Sequence, residues 1–445
     1  MLVNIIVDLP KQGHTYILVL MVTSTAIGGT LQYGYNLAIM NAPAVFIHFL
    51  GVYEVTLIWT FIVSIFSLGD FIGALIAGPV SVRFGRKKTT LLNNVFLLSS
   101  SLLALLSRTA KSFEMIIISR FLVCINAGTV CPMYFGESAP KHLRGAVSLS
   151  SAVVSLRELL GSEPCWQYLF ASNAIPGLIQ LLTLPWFPES PHYLLIDCGD
   201  KEACLMALQR LRGCEVQREE LDEILQEQNE TKIERAKQPW ELFTDRSVRW
   251  QLITVAVLSS AMQLCGNDSI YFYASFIFQE AGISAGQIQY VTTGTGMCEF
   301  TACILCNLLI ERLGRRLMLM GGFVLMAGWA VVFTASLSLE VSPLFLRVYL
   351  SMTCIFTYIL SFGMGPAGVT GILPTEIFNQ TTHPAAYMAT GSLMWLNLFI
   401  IGMIFPFLVS GLGRYCFVPF GAVCLLTASY IQMVLPETKG KTLYR

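Results

Sequence analysis

From Gln263 to Ser275 the chain reads QLCGNDSIYFYAS, with an amide, a carboxyl and a glycine at the far end of an apolar run that starts near Leu252. About 20 successive apolar residues are enough to cross a bilayer as a helix. Polar groups inside such a segment are costly unless they line a wet cavity or bond to a neighbouring helix. Gln263, Asn267 and Asp268 are therefore candidates for handling something polar, and the plainer alternative is that they hold helices together. Glu299, in a later apolar run, is a second carboxyl at membrane depth.

Other patterns of chemical interest do not survive their context. Gly363, Gly365 and Gly368 spell G-x-G-x-x-G, but they follow an apolar span rather than a strand, so no dinucleotide site is expected and a bend in that span is. Gly282, Ser284 and Gly286 spell G-x-S-x-G in a short loop with no sheet and no nearby His, which is no nucleophile elbow. Cys303 and Cys306 form a CxxC within a span and without a second pair, so they read as helix packing. No metal spacing, cofactor motif or catalytic constellation is present. The reading is not an enzyme, with no cofactor and no nucleic-acid partner.

The elements that must position these residues are membrane helices. Apolar residues make up 54% of the chain and charged ones 13%, about half the share usual in soluble proteins. The first apolar run, from Tyr16 to Leu37, is long enough to be a span rather than a cleavable signal. Further spans are expected near 57–80, 90–107, 113–135, 166–187, 251–275, 289–310, 317–339, 345–374, 385–409 and 415–435. Lys and Arg cluster at 83–88, 141–144, 201–249, 312–316 and 439–445, which places these loops and both termini on the cytoplasmic side. Thirteen cysteines, mostly in apolar runs, give no disulfide framework. The fifth span is short: Arg144 and Arg157 enclose the 12 residues Gly145 to Leu156. These make about 18 Å of helix against a hydrocarbon core of about 30 Å.

Two motifs recur. VRFGRKK at 82–88 and ERLGRR at 311–316 each follow the second span of a six-span set, and GESAPKHLRGA at 136–146 and PTEIFNQTTHPAA at 374–386 each follow the fourth. Parallel repeats of six spans, with a site between them at mid-membrane, describe one transporter architecture. The chain divides accordingly into a first half at 1–187, a cytoplasmic helical linker at 188–249, a second half at 250–435 and a tail at 436–445. Arg86 and Arg315 are placed to bond carbonyls at inner helix ends and to ion-pair with Glu376 and Glu137. Arg144 and Glu311 belong to the same set.

GGTLQYGYNLAIMNAP, FGRKK, MYFGESAPKHLRGA, PESPHYLL, QLCGNDSIYFYAS, ERLGRR, GPAGVTGILPTEIF and PETKGKT stand in one order along nearly the whole chain. In this the chain resembles the facilitative hexose transporters of the major facilitator superfamily, and among them the fructose-type subclass. The resemblance implies an all-α membrane protein of two six-helix halves, nominally twelve spans with the fifth incomplete. It implies a multi-pass plasma-membrane protein whose partners are the bilayer and a sugar, glucose or fructose. Polyols are held by amides and aromatic faces, so Gln263, which matches the second of the family's paired glutamines, is carried over with Asp268, Glu299, Tyr33, Trp395 and Asn397 as substrate-binding residues. Met262 replaces the first glutamine, while Asp268 and Glu299 stand where the family usually has Asn. Gly371 falls where glucose-type members carry a Trp. Arg86, Glu137, Arg144, Glu311, Arg315 and Glu376 are carried over as the conformational latch, with Val82 where the family has an acid. Asn36 follows Gly34 and Tyr35, where proton-coupled relatives have an Asp, and an amide does not titrate. Uncoupled transport is expected, the alternative being a degenerate or spliced relative that keeps the fold with little flux.

Overall fold

The computed structural model describes residues 36, 52–110, 112–129, 166–191, 193–212, 221, 225, 248–273, 277–278, 282–283, 285–338, 344–371, 373–378 and 382–437. They are almost wholly helical. The expected first and fifth spans lie outside the described residues apart from Asn36, as do Tyr33, Glu137 and Arg144. Glu311 falls in the last turn of a long helix and Glu376 in the short turn Leu373–Ile377, and their side chains are not described.

The helices are α1 (Val52–Phe84), α2 (Arg86–Ala110), α3 (Phe113–Thr129), α4 (Trp166–Ala171), α5 (Ala174–Thr183) and α6 (Lys201–Arg212). After the linker come α7 (Arg249–Leu264), α8 (Asn267–Phe272), α9 (Ala285–Leu313), α10 (Arg315–Ser338), α11 (Leu344–Phe362), α12 (His383–Leu412) and α13 (Val418–Val434). Six of them, α1, α2, α9, α10, α12 and the helix through α11, are long and apolar enough to cross a membrane.

Their sidedness is that of helices in lipid. On α2 the residues turned inward are Thr89, Thr90, Asn93, Asn94, Ser100, Ser101 and Ser107, while Leu92, Val95, Phe96, Leu102 and Leu106 face out. Water would reverse that pattern, whereas hydrocarbon accepts Leu and Phe and drives hydroxyls and amides toward partners on other helices. Those partners are present. Ser100 Oγ donates to Ser119 O at 2.7 Å, Ser119 Oγ donates to Ser100 O at 2.9 Å, and Asn93 Nδ2 donates to Asn126 O at 2.7 Å, so α2 is bonded to α3 over two turns.

α1 packs on α3 and on α12, α7 on α12 and α13, α9 on α11, and α10 on α11 and α13. The sixth expected span is not one helix. It turns at Ser172 and Asn173 between α4 and α5, where Asn173 and Asn36 exchange two amide hydrogen bonds of 3.1 Å. The linker carries the expected amphipathic helix, α6, whose Cys204 and Leu208 pack on Leu195. Downstream of α11 the backbone widens into a π-helical turn, Gly363–Ala367, around Pro366. Pro lacks an N–H and crowds the preceding turn, which accounts for the widened turn at the place where the three glycines suggested a bend. Gly365 and Gly322 touch there: a Cβ on Gly365 would lie 2.6 Å from Met318 O, so α10 and this turn meet backbone to backbone. Cys306 packs against Gly368 in the same region, which is the packing role expected for the CxxC.

Candidate functional site

The expected seventh span is broken in the middle of the stretch singled out above. α7 ends at Leu264, Gly266 takes φ +83°, and α8 starts at Asn267. Two features require glycine at 266: the left-handed backbone and the Phe420 ring, whose nearest atoms would lie 2.7 Å from a Cβ. A break at membrane depth frees backbone groups that lipid cannot satisfy. Here Cys265 N reaches Ala261 O at 2.9 Å, and the buried hydroxyl of Tyr358 on α11 donates to Cys265 O at 2.6 Å.

The break turns Gln263, Asn267 and Asp268 into a cluster at facing helix ends, all three buried. Within it Gln263 Oε1, both amide atoms of Asn267 and Ser269 Oγ have no hydrogen-bond partner among the described residues. Each buried polar atom left so costs about 1–3 kcal/mol, so four together mark a place where water or a polar solute completes the bonding. Glu299, half-buried on α9, lies within electrostatic range of Asp268.

The other sequence-derived candidates divide. Asn397 on α12 donates from Nδ2 to Ser260 Oγ at 3.0 Å and to Leu393 O at 2.9 Å, so it ties α12 to α7 one turn before Gln263. Trp395 is half-buried against the apolar core. Gly371 is exposed, with open space where a side chain would stand. Beyond Gln263 an aromatic group closes over the break. Tyr273 stacks on Phe405 at 5.3 Å and donates its hydroxyl to Gly402 O at 2.9 Å, and Phe405 stacks on Phe420 at 6.1 Å.

The basic loops show a duplicated arrangement that sequence reading missed. Gly85 has φ +88°, and Glu189 Oε1 accepts a hydrogen bond of 2.8 Å from Lys87 N at the start of α2. Gly314 has φ +90°, and Glu437 Oε1 accepts one of 3.0 Å from Arg315 N at the start of α10. In each case a carboxylate sits on free N–H groups at the positive end of a helix, reached only because a glycine leaves no Cβ in the way. Lys87 Nζ adds bonds to Pro185 O and Phe187 O, while the Arg86 guanidinium lies 5.0 Å over the Tyr193 ring. Arg315 Nη1 reaches Ile310 O at 3.5 Å and Arg316 bonds Gln432 O. The signal for both acids was in the chain: PES at 188–190 and PET at 436–438 each follow the last apolar helix of a set. Glu437→Gln is expected to lower the thermal midpoint of the detergent-purified protein while leaving sugar affinity unchanged. Equal midpoints for variant and parent would show that the carboxylate charge contributes nothing there.

The sugar transporter family model, described as "Sugar (and other) transporter", matches residues 21–445. The chain belongs to the sugar transporter family. It is 49% identical to the human facilitated glucose transporter member 11 of solute carrier family 2, over 96% of this chain and 91% of that protein. It is 41% identical to the human member 5, over 97% of this chain and 92% of that protein. Among solved structures it resembles the xylose transporter XylE of E. coli in a partially occluded inward-open conformation, with a TM-score of 0.77, 21% identity and coverage of 96% and 100%. A second is the proton:xylose symporter XylE bound to 6-bromo-6-deoxy-D-glucose, with a TM-score of 0.76, 22% identity and coverage of 96% and 97%. The fold is that of the major facilitator superfamily, and this member of the family is an all-α, multi-pass membrane protein.

Proposed function

We propose that this protein is a facilitative hexose transporter that carries glucose or fructose by alternating access around the break between α7 and α8. The observation that carries the reading is the cluster of unpartnered, buried polar atoms on Gln263, Asn267 and Ser269. Sugar hydroxyls both donate and accept, so they match amide groups of that kind. The open space at Gly371 leaves room for a sugar beside it. Tyr33 and Trp395 would supply aromatic faces, and Asp268 and Glu299 would accept from hydroxyls.

Uncoupled flow is supported by Asn36, whose amide is bonded to Asn173 and offers no proton. Identity of 49% over 96% of the chain to a facilitated glucose transporter supports transport rather than a fold kept without flux. The two six-helix halves, with the linker between them, would rock about the site. Arg86, Arg315, Glu137, Arg144, Glu311 and Glu376 would latch one end state. The basic loops and both termini would face the cytoplasm, with the protein in the plasma membrane.

The test is uptake of radiolabelled glucose and fructose by the purified chain in liposomes. Saturable, unlabelled-sugar-inhibited uptake of either hexose is expected, and its absence for both would overturn the reading. Gln263→Leu should weaken sugar binding several-fold, since a lost hydrogen bond is worth about 1 kcal/mol. Unchanged binding in that variant would remove Gln263 from the site. Asp268→Asn keeps shape and restores an amide. It should retain uptake within about twofold of the parent, as expected of a carboxylate that acts as one acceptor among several.

A further inference from the structure

A third carboxyl at membrane depth lies outside the sugar site. Asp70 on α1 is fully buried, and neither of its oxygens has a hydrogen-bond partner among the described residues. It faces α3. A Cβ on the adjacent Gly69 would lie 2.6 Å from Phe121 O and 2.7 Å from the Cys124 Cβ, and Phe66, one turn before Asp70, lies 5.2 Å beneath the Arg120 guanidinium. Arg120 is itself buried, and its donors go elsewhere: Nε to Ile62 O at 3.3 Å, Nη1 to Asn36 O at 3.1 Å and Nη2 to Val63 O at 3.5 Å. Asp70 therefore lies in the field of Arg120 without a bond to it. The other titratable group facing it from α3 is Cys124, whose Sγ donates to Arg120 O. α12, also packed on α1, has no titratable side chain between Met388 and Leu412. α2 carries its charges at its ends, on Arg86, Lys87, Lys88 and Arg108.

An ionised carboxylate in that position would be a buried charge with no hydrogen-bond donor, attracted by Arg120 but not bonded to it, and taking it out of water costs several kcal/mol, more than the unbonded Arg120 returns. A neutral acid with an unfilled hydrogen bond costs about 1–3 kcal/mol. The smaller penalty decides the form. We propose that Asp70 is a proton-binding site: it holds a proton in the packed arrangement of α1, α3 and α12, and releases it when water reaches α1. The second half of this rests on the alternating-access reading, in which α12, packed on α1, parts from it and water gains access to α1. The proton is then a ligand of one conformation. Raising the pH draws the protein away from that conformation and slows the cycle, by up to about tenfold per pH unit for one proton.

Two measurements on the full chain test this. Infrared difference spectra of parent minus Asp70→Asn at neutral pH should contain the C=O stretch of a protonated carboxyl, with Asp70→Gly giving the same band if Asn perturbs folding. No such band in either difference would overturn the proposal whether or not the protein transports. Sugar exchange in liposomes with equal pH on both sides should slow at least about threefold from mildly acidic to mildly alkaline buffer in the parent, and stay flat in Asp70→Asn. Identical profiles for parent and Asp70→Asn, or a profile flattened by Asp268→Asn instead, would overturn the link to the cycle.

Discussion

Gly266→Ala is expected to lower sugar uptake at least about thirtyfold. Two costs add. A non-glycine residue in the left-handed region loses about 1–2 kcal/mol, and Gly266 has φ +83°. The new methyl would also lie 2.7 Å from the Phe420 ring, which is fixed by stacking on Phe405 and by its edge contact with Phe417. Overpacking of this kind costs about 1–3 kcal/mol more. The backbone escapes both by straightening α7 into α8, which re-aims Asn267 and Asp268 relative to Gln263 and returns Cys265 O to the helical ladder, away from the Tyr358 hydroxyl. A factor of ten in rate or affinity corresponds to about 1.4 kcal/mol, so the sum covers the predicted loss. Gly328→Ala on α10 is the control, because Gly328 is exposed, away from the proposed site, and its methyl would meet open space. Uptake by both variants at the parent level would show that the break between α7 and α8 does not shape the site.

The same stretch shows how far the sequence could be read. QLCGNDS announced a polar site because polar residues and a glycine within an apolar run are locally costly, and that cost is visible without knowing any neighbour, whereas the expected span at 251–275 carried no break. Likewise the apolar length of α1, α2, α10 and α12 set their existence, and the repeated FGRKK and LGRR loops marked the two places where Gly85 and Gly314 turn the chain from one helix into the next. What stayed hidden depends on partners far along the chain. The turn at Asn173 is held by Asn36, 137 residues away, so the sixth span read as one uninterrupted helix. Glu189 caps a loop 102 residues before it, and Glu437 one 122 residues before it. Asn397 has the residue type of a sugar ligand, and its amide also donates to Ser260, a partner that nothing local in the sequence shows. Asp70 and Arg120 each stand alone in a hydrophobic run, and nothing local states that α1 and α3 set them side by side. Periodicity reports which face of a helix is buried and is silent about which atoms lie opposite.

That distinction governs the contact between α1 and α12. Gly402 lies near the middle of α12, and a Cβ there would come within 2.6 Å of Ser64 Oγ and 3.5 Å of the Phe272 ring. Its carbonyl accepts the Tyr273 hydroxyl, so the crossing of α1 and α12 is joined to the aromatic group whose Phe420 packs on Gly266. Gly402→Leu should wedge these helices apart at a cost of about 1–3 kcal/mol, which falls on the closed arrangement and spares any state in which they have separated. Uptake should therefore drop by about tenfold or more, while equilibrium sugar binding stays within a few-fold of the parent. Ser64→Gly removes the group the leucine strikes. In the double variant uptake should recover by more than the effect of Ser64→Gly alone, the signature of residues in direct contact, with a coupling of about 0.5–3 kcal/mol. Strictly additive losses would mean that the two helices do not meet at Gly402 and Ser64 during the cycle, and that the leucine acts by destabilising α12 itself.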